Sequence, residues 1–270
     1  QRALRRASAD LGRGLEVVGR ERAGVPVVAL HLVAAAGDQR HAERVAGAAL
    51  GAQEAVAVGV NRHAFAAVGT GAGKVLHGLT LTDPDAAIRK KAIDFIAEMI
   101  SFGAQFGSPA IIGSMQGNVL PSGNREETFK LLTEGLEVLG KHAASLGVTL
   151  IYEPLNRYET NLFNTLEAGS GFLESNSMSN VKLLADLFHM NIEEDHLAAS
   201  IRKNGNHIGH VHFADSNRKP MGFGHTAMAP IAEALKEIGY SGYVSAEAFP
   251  FPNPDAAAKQ TIEAFQRFFR

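Results

Sequence analysis

The chain has 270 residues, 46% of them hydrophobic and 20% charged, with a formal net charge of −2 and no cysteine. This is the composition of an ordinary globular protein with a sizeable core, and its charge gives no global attraction to nucleic acid or to an anionic membrane. Without cysteine there is no disulfide or thiolate metal site; with no membrane-length apolar run and no visible signal peptide, the expectation is a soluble, cytoplasmic protein.

Residues 1–66 differ in composition from the rest. They are crowded with Ala, Gly, Val and Arg, and contain no Lys, Ile, Thr, Tyr or Met. GVPVVALHLVAAAG (24–37) reads as one strand, and residues 42–58 show no clear period. The segment fits either two divergent βα units or an out-of-frame reading of a GC-rich coding region. Arg2, Arg5, Arg6, Arg13, Arg20 and Arg22 read as a solvated helix face. Asp10, Glu16 and Glu21 interrupt them, which argues against a transit peptide.

From residue 67 onward short apolar runs alternate with amphipathic segments. FAAVGTGA precedes a helix over about 85–106, and PAIIGSMQG precedes one over about 125–146. TLIYEP is followed by a helix near 165–174, and the strand VKLLADLFH by one near 196–203. HIGHVHFAD precedes a helix near 228–238, and YVSAEAF precedes a closing helix from about Asp255. Gly107, Gly147, Gly205 and Gly239 are the expected C-terminal stops. Strict alternation with near-continuous apolar strands predicts a parallel sheet covered by helices. Six units, with room upstream for two more, predict a single-domain α/β (β/α)₈ barrel over residues 1–270.

Four of the runs end on a polar group: Glu153, Asp186, His212 and Glu247. In a barrel all four tips lie at the same end, which disfavours a doubly wound sheet. Three carboxylates and one imidazole would make a hard, oxygen-rich site for a divalent ion such as Mn²⁺ or Mg²⁺. A lone glutamate at a strand tip is ordinarily just a solvated charge, so the weight rests on four in step.

EPLNRYE (153–159), DLFHMNIEE (186–194), HIGHVHFADSNR (207–218) and SAEAF (245–249) resemble the sugar isomerase/epimerase superfamily with a xylose-isomerase-like barrel. Within it they are most similar to ketose 3-epimerases of the D-tagatose/D-psicose/L-ribulose type, over roughly residues 67–270. The resemblance implies that Glu153, Asp186, His212 and Glu247 hold one catalytic metal ion, Mn²⁺ in first place with Mg²⁺ or Co²⁺ as alternatives. It implies that Glu153 and Glu247 also move the proton, through a cis-enediolate. His189 and Arg218 become contacts to the sugar near its carbonyl, and Glu159 a contact at its C1 end. It further implies a homo-oligomer, dimer or tetramer, with a small sugar as its only ligand besides the metal. Independently, epimerising a carbon beside a ketone needs two bases flanking it and stabilisation of enediolate charge.

Each residue has a plainer rival reading. His189 fits a hydrogen-bonded core histidine, Arg218 an ion pair with Asp215, and Glu159 an ion pair with Arg157. His210 should share the strand face of His212 in a structural role, and Gln116 is a candidate contact to a sugar hydroxyl. Phe188, Met190, Phe249 and Phe251 line the mouth or simply pack, and His225 has no assigned role. GTGAGKVLHG departs from the bulky character expected of tagatose-type enzymes, which leaves the sugar open. Rival activities are a hydroxypyruvate isomerase-like reaction, an inosose dehydratase-like reaction, an apurinic-site endonuclease and a non-catalytic binding barrel. The endonuclease would need extra histidines at early strand tips and a basic groove, and neither is evident.

Overall fold

The computed structural model describes residues 15–22, 25–32, 66–119 and 123–269. The chain order is β1 (Leu15–Arg22), β2 (Val25–Leu32), β3 (Val68–Gly69), α1 (Ala72–His77), α2 (Ala86–Ala104) and β4 (Ala110–Ile112). It continues with α3 (Arg125–Ser145), β5 (Leu150–Tyr152), α4 (Leu166–Ser175), β6 (Val181–Asp186), α5 (Leu187–Glu193) and α6 (Leu197–Asn204). The last elements are β7 (Ile208–His212), α7 (Met228–Glu237), β8 (Val244–Ala246) and α8 (Pro254–Phe269). One sheet holds all eight strands in the order β2-β1-β8-β7-β6-β5-β4-β3. Strands β3 to β8 run parallel, each to its neighbour, with helices between them, in the α/β manner of a TIM barrel.

The expectation of two βα units upstream is corrected. β1 and β2 pair antiparallel from Leu15↔Leu32 to Arg22↔Val25, and β1 runs antiparallel to β8. The connection from Arg22 to Val25 is far too short for the crossover that a parallel partner requires. Arg20 and Arg22 therefore lie in a strand and not on a helix face. Arg2, Arg5, Arg6, Arg13 and the stretch 42–58 lie outside the described residues.

Alternation along the parallel strands builds two cores. Ala110, Ile112, Leu150, Tyr152, Leu183, Ala185, Val211 and Val244 face the helices and join the main core. Ala67, Ile111, Ile151 and Leu184 form a smaller cluster on the opposite, inner face. One irregularity matters for the site. In the β6–β7 pairing, Leu183 faces Ile208 but Leu184 faces His210, so Gly209 is an extra residue in β7. A Cβ at Gly209 would lie 2.6 Å from Lys182 Cβ, so the bulge needs glycine.

Helix starts follow local chemistry. The side chains of Asp85, Asn124 and Thr165 accept from the first-turn amides of α2, α3 and α4. Gly107, Gly147 and Gly239 have φ of +67°, +73° and +65°, the left-handed stops that the sequence suggests. Gly205 departs from this. Its φ is −53°, and a Cβ there would sit 2.8 Å from Ile238 Cγ2, so its smallness serves close packing. α1 and α5 are short helices of six and seven residues with no counterpart in the sequence-based reading. Among the described residues no helix is long and apolar enough to cross a membrane.

Candidate active site

The inner parity of the strands places every candidate. Glu153 lies two residues beyond inward Ile151, and Asp186 two beyond inward Leu184. His212 lies two beyond His210, whose Nε2 shares a 2.8 Å hydrogen bond with Ser245 Oγ, and Glu247 lies two beyond Ser245. Asp186 and His212 are direct partners across β6 and β7. One ligand atom from each of Glu153, Asp186, His212 and Glu247 lies within 4.8 Å of the other three. His212 Nδ1 stands 3.1 Å from Asp186 Oδ2, 3.3 Å from Glu247 Oε2 and 3.8 Å from Glu153 Oε1. The strand tips thus bring together all four residues expected from the sequence.

Asp186 has two tasks. Its Oδ1 accepts from the amides of Phe188 and His189, capping α5, while Oδ2 turns to His212. The cap starts the helical turn that brings His189 back over the site. His189 is buried, with Nε2 3.7 Å from Glu153 Oε1 and 3.9 Å from Asp186 Oδ2. Its Nδ1 receives the Asn156 side-chain amide at 2.7 Å. Asn156 also donates to Glu159 Oε1 at 3.0 Å. Arg157 does not take Glu159. It grips Glu193 instead, Nη2 to Oε2 at 2.9 Å, and so ties the β5 loop to α5.

Arg218 closes the other side. Its Nη2 is 3.0 Å from Glu247 Oε2, and its guanidinium carbon lies 4.8 Å from the centre of the Phe188 ring. Its φ of +56° is strained for a non-glycine residue, as is common at functional positions. Asp215 forms no ion pair with Arg218, whose backbone amide instead donates to the Asp215 carbonyl at 2.8 Å. Its carboxylate accepts from four backbone amides, those of Ser216, Gly222, Gly224 and Thr226, and so knots the loop that carries Arg218. The same bonds hold its pKa down to about 2 against the opposing pull of burial. His225, in that loop, shares a 2.9 Å hydrogen bond with Ser216 Oγ.

One candidate is corrected. Gln116 is 0% exposed, and its amide donates to the carbonyls of Gly113 and Glu153, both at 2.9 Å. Tyr152 donates its hydroxyl to Gln116 Oε1. No amide hydrogen remains for a sugar hydroxyl, so Gln116 props the backbone of Glu153 from below. Sequence reading also missed Asn156 and Gly113. A Cβ on Gly113 would lie 2.5 Å from Glu153 Oε2, so the glycine makes room for that carboxylate. Met190 is core, whereas Phe249 and Phe251 are exposed.

The charges differ in state. Burial raises the Glu153 pKa well above the ordinary carboxylate value, and the neighbouring Asp186 and Glu247 raise it further, outweighing the pull of His212 and Arg218. Burial also disfavours charge on Glu247, yet the His212 hydrogen bond and the Arg218 and His212 charges hold it down to about 2. Asp186 is likewise held below its usual value, because His189, His212 and Arg218 outweigh burial. Glu153 Oε1 is buried without a hydrogen-bond partner. Crowded carboxylates, one imidazole, no thiolate and an orphaned oxygen aimed at the common point are a donor set that fits a divalent cation.

The model of the xylose isomerase-like TIM barrel family matches residues 63–268. The chain belongs to this family. The D-psicose 3-epimerase of Ruminiclostridium cellulolyticum is 34% identical over 173 residues, covering 63% of this chain and 59% of that protein. The 3-dehydro-D-guloside 4-epimerase of Escherichia coli is 38% identical over 115 residues, covering 43% and 44%. The chain thus spans between 44% and 59% of the length of these curated relatives. Among solved structures, D-psicose 3-epimerase with D-tagatose from Clostridium cellulolyticum superposes with a TM-score of 0.66 at 27% identity, covering 76% of this chain and 78% of that one.

Proposed function

We propose that the protein is a divalent-metal-dependent epimerase of keto-sugars, acting at C3 beside the ketone. The observation that carries this is the convergence of Glu153 and Glu247, from the tips of β5 and β8, on one point with Asp186 and His212 between them. Similarity to D-psicose and L-ribulose 3-epimerases supports the reaction type.

Glu153, Asp186, His212 and Glu247 would hold the ion, with Mn²⁺ preferred and Mg²⁺ or Co²⁺ as substitutes. When bound, it supplies Lewis-acid stabilisation of the negative charge that develops on the substrate oxygens. The protein does the rest. One glutamate takes the proton from C3 and the other returns a proton to the opposite face, so the reaction is balanced in protons. Such positioned transfer contributes on the order of 10²–10⁴-fold. On this reading His189 and Arg218 would donate to oxygens near the carbonyl, and Glu159 would accept at the C1 end. The Phe188 ring under Arg218 limits water on that side. A second reading, epimerisation beside a ring ketone of a glycoside, is favoured by the similarity to the 3-dehydro-D-guloside 4-epimerase and uses the same two bases.

The test is a panel of ketoses and keto-glycosides incubated in D₂O with the chelator-treated protein resupplied with Mn²⁺, Mg²⁺ or Co²⁺. Deuterium should enter at the epimerised carbon and vanish in Glu153→Gln and in Glu247→Gln. No exchange with any keto-sugar, or near-normal turnover in either variant, overturns the proposal.

A further inference from the structure

The assignment of His189 as a donor to substrate leaves open which of its nitrogens carries the hydrogen, and the structure answers through Asn156. This side chain is buried, and the backbone fixes its orientation. Its Oδ1 accepts from the Tyr158 amide at 3.0 Å, so its Nδ2 must be the group turned toward His189 and Glu159. The two Nδ2 hydrogens then go one each to His189 Nδ1 at 2.7 Å and Glu159 Oε1 at 3.0 Å. The backbone amide of Asn156 points at the same Nδ1, at 3.3 Å. Nε2 faces Glu153 Oε1 at 3.7 Å and Asp186 Oδ2 at 3.9 Å, with the donor Arg218 Nη1 at 3.5 Å, while Nδ1 has Glu159 Oε1 at 3.8 Å. The closest donor decides: with Asn156 Nδ2 at 2.7 Å and a second N–H beside it, Nδ1 is the acceptor and the imidazole hydrogen sits on Nε2.

We propose that Asn156 is a positioning residue that locks His189 in its Nε2–H tautomer, aiming that hydrogen into the site, and that holds the Glu159 carboxylate with the other hydrogen of the same amide. This deepens the epimerase reading and rests on it for the use made of the hydrogen. The lock itself does not depend on any reaction. Asparagine is required because no other side chain of this length offers an acceptor to Tyr158 and two donors to different partners. Aspartate keeps the shape and the Tyr158 bond, but places an oxygen opposite Nδ1 and a like charge opposite Glu159.

The experiment is a long-range ¹H–¹⁵N spectrum of histidine-labelled full chain, metal-free and with diamagnetic Mg²⁺, with the His189 signals assigned by their loss in His189→Gln. The wild type should show hydrogen on Nε2 and a bare Nδ1, and Asn156→Asp should move it to Nδ1. A wild-type spectrum with hydrogen on Nδ1 overturns the inference even if the variant fails to fold. So does a folded Asn156→Asp whose tautomer is unchanged. In activity assays Asn156→Asp should lower kcat more than it raises KM, by at least about tenfold in kcat/KM. In a His189→Gln background most of that loss should disappear. A tautomer that switches with full turnover retained supports the lock and sinks the role of His189 toward substrate.

Discussion

Replacing Asp215 by Asn removes one charge from a loop that four amides organise around it, and the consequence can be worked out. The carboxylate pKa falls from its ordinary 3.8 to about 2 in the folded chain. That difference corresponds to about 2 kcal/mol of stability at neutral pH. The sign follows from the depressed value: the contribution is complete above the unfolded pKa and is lost as pH falls toward 2. About 1 kcal/mol of it should go between pH 5 and pH 3. Asparagine still offers one acceptor, but its amide nitrogen would face two of the four N–H groups, either Gly222 and Gly224 or Ser216 and Thr226. Urea unfolding of wild type and Asp215→Asn at pH 7, 5 and 3 reads this directly. The variant should be less stable by at least about 2 kcal/mol at pH 7, with the gap narrowing as pH drops. Under conditions where it stays folded, turnover should also fall by about tenfold or more, because the loop that places Arg218 loosens. A gap independent of pH, or one below about 0.5 kcal/mol, would refute the reasoning.

Gly113→Ala should lower turnover by about 10²-fold while moving the urea midpoint little, because the new methyl displaces only the tip of Glu153. Gln116→Leu strips partners from the Tyr152 hydroxyl and from the carbonyls of Gly113 and Glu153, and should destabilise the fold by at least about 2 kcal/mol. An unchanged midpoint with a raised KM would instead restore Gln116 as a sugar contact. Adding Mn²⁺ to chelator-treated protein should raise the melting temperature, by the equivalent of about 3 kcal/mol at a hundredfold excess over Kd. His212→Ala should remove most of that rise, and metal analysis after dialysis should find less ion retained.

The sequence carries the site better than the architecture around it. Glu153, Asp186, His212 and Glu247 are legible because each ends a short apolar run, and a strand tip is a local feature. The helix starting at Asp186 was missed because LLADLFH is apolar enough to read through as strand. The clue was the aspartate itself, an N-cap three residues before a histidine. Gln116 was misplaced for the opposite reason. Its position at an early strand tip is visible, but that Tyr152 and two carbonyls consume its amide is a tertiary fact. β2 lies inside the stretch 24–37 that reads as a strand, whereas β1 escaped because Arg20 and Arg22 read as part of a solvated helix face.

Gly209 sets the limit of such reading most clearly. Counting residues by alternation puts His210 and His212 on one face, expected to point into the barrel, but does not show what turns that face inward. Without the extra residue, continuing the pairing of Leu183 with Ile208 would set His210 opposite Ala185, which faces the helices. The bulge shifts the phase by one, so that His210 meets Leu184 and His212 meets Asp186 on the inner face. A glycine is required there because Lys182 of the adjacent β6 and Ile151 of β5 crowd the position. The imidazole of the candidate metal centre thus reaches the three carboxylates through a backbone irregularity at a residue with no side chain of its own.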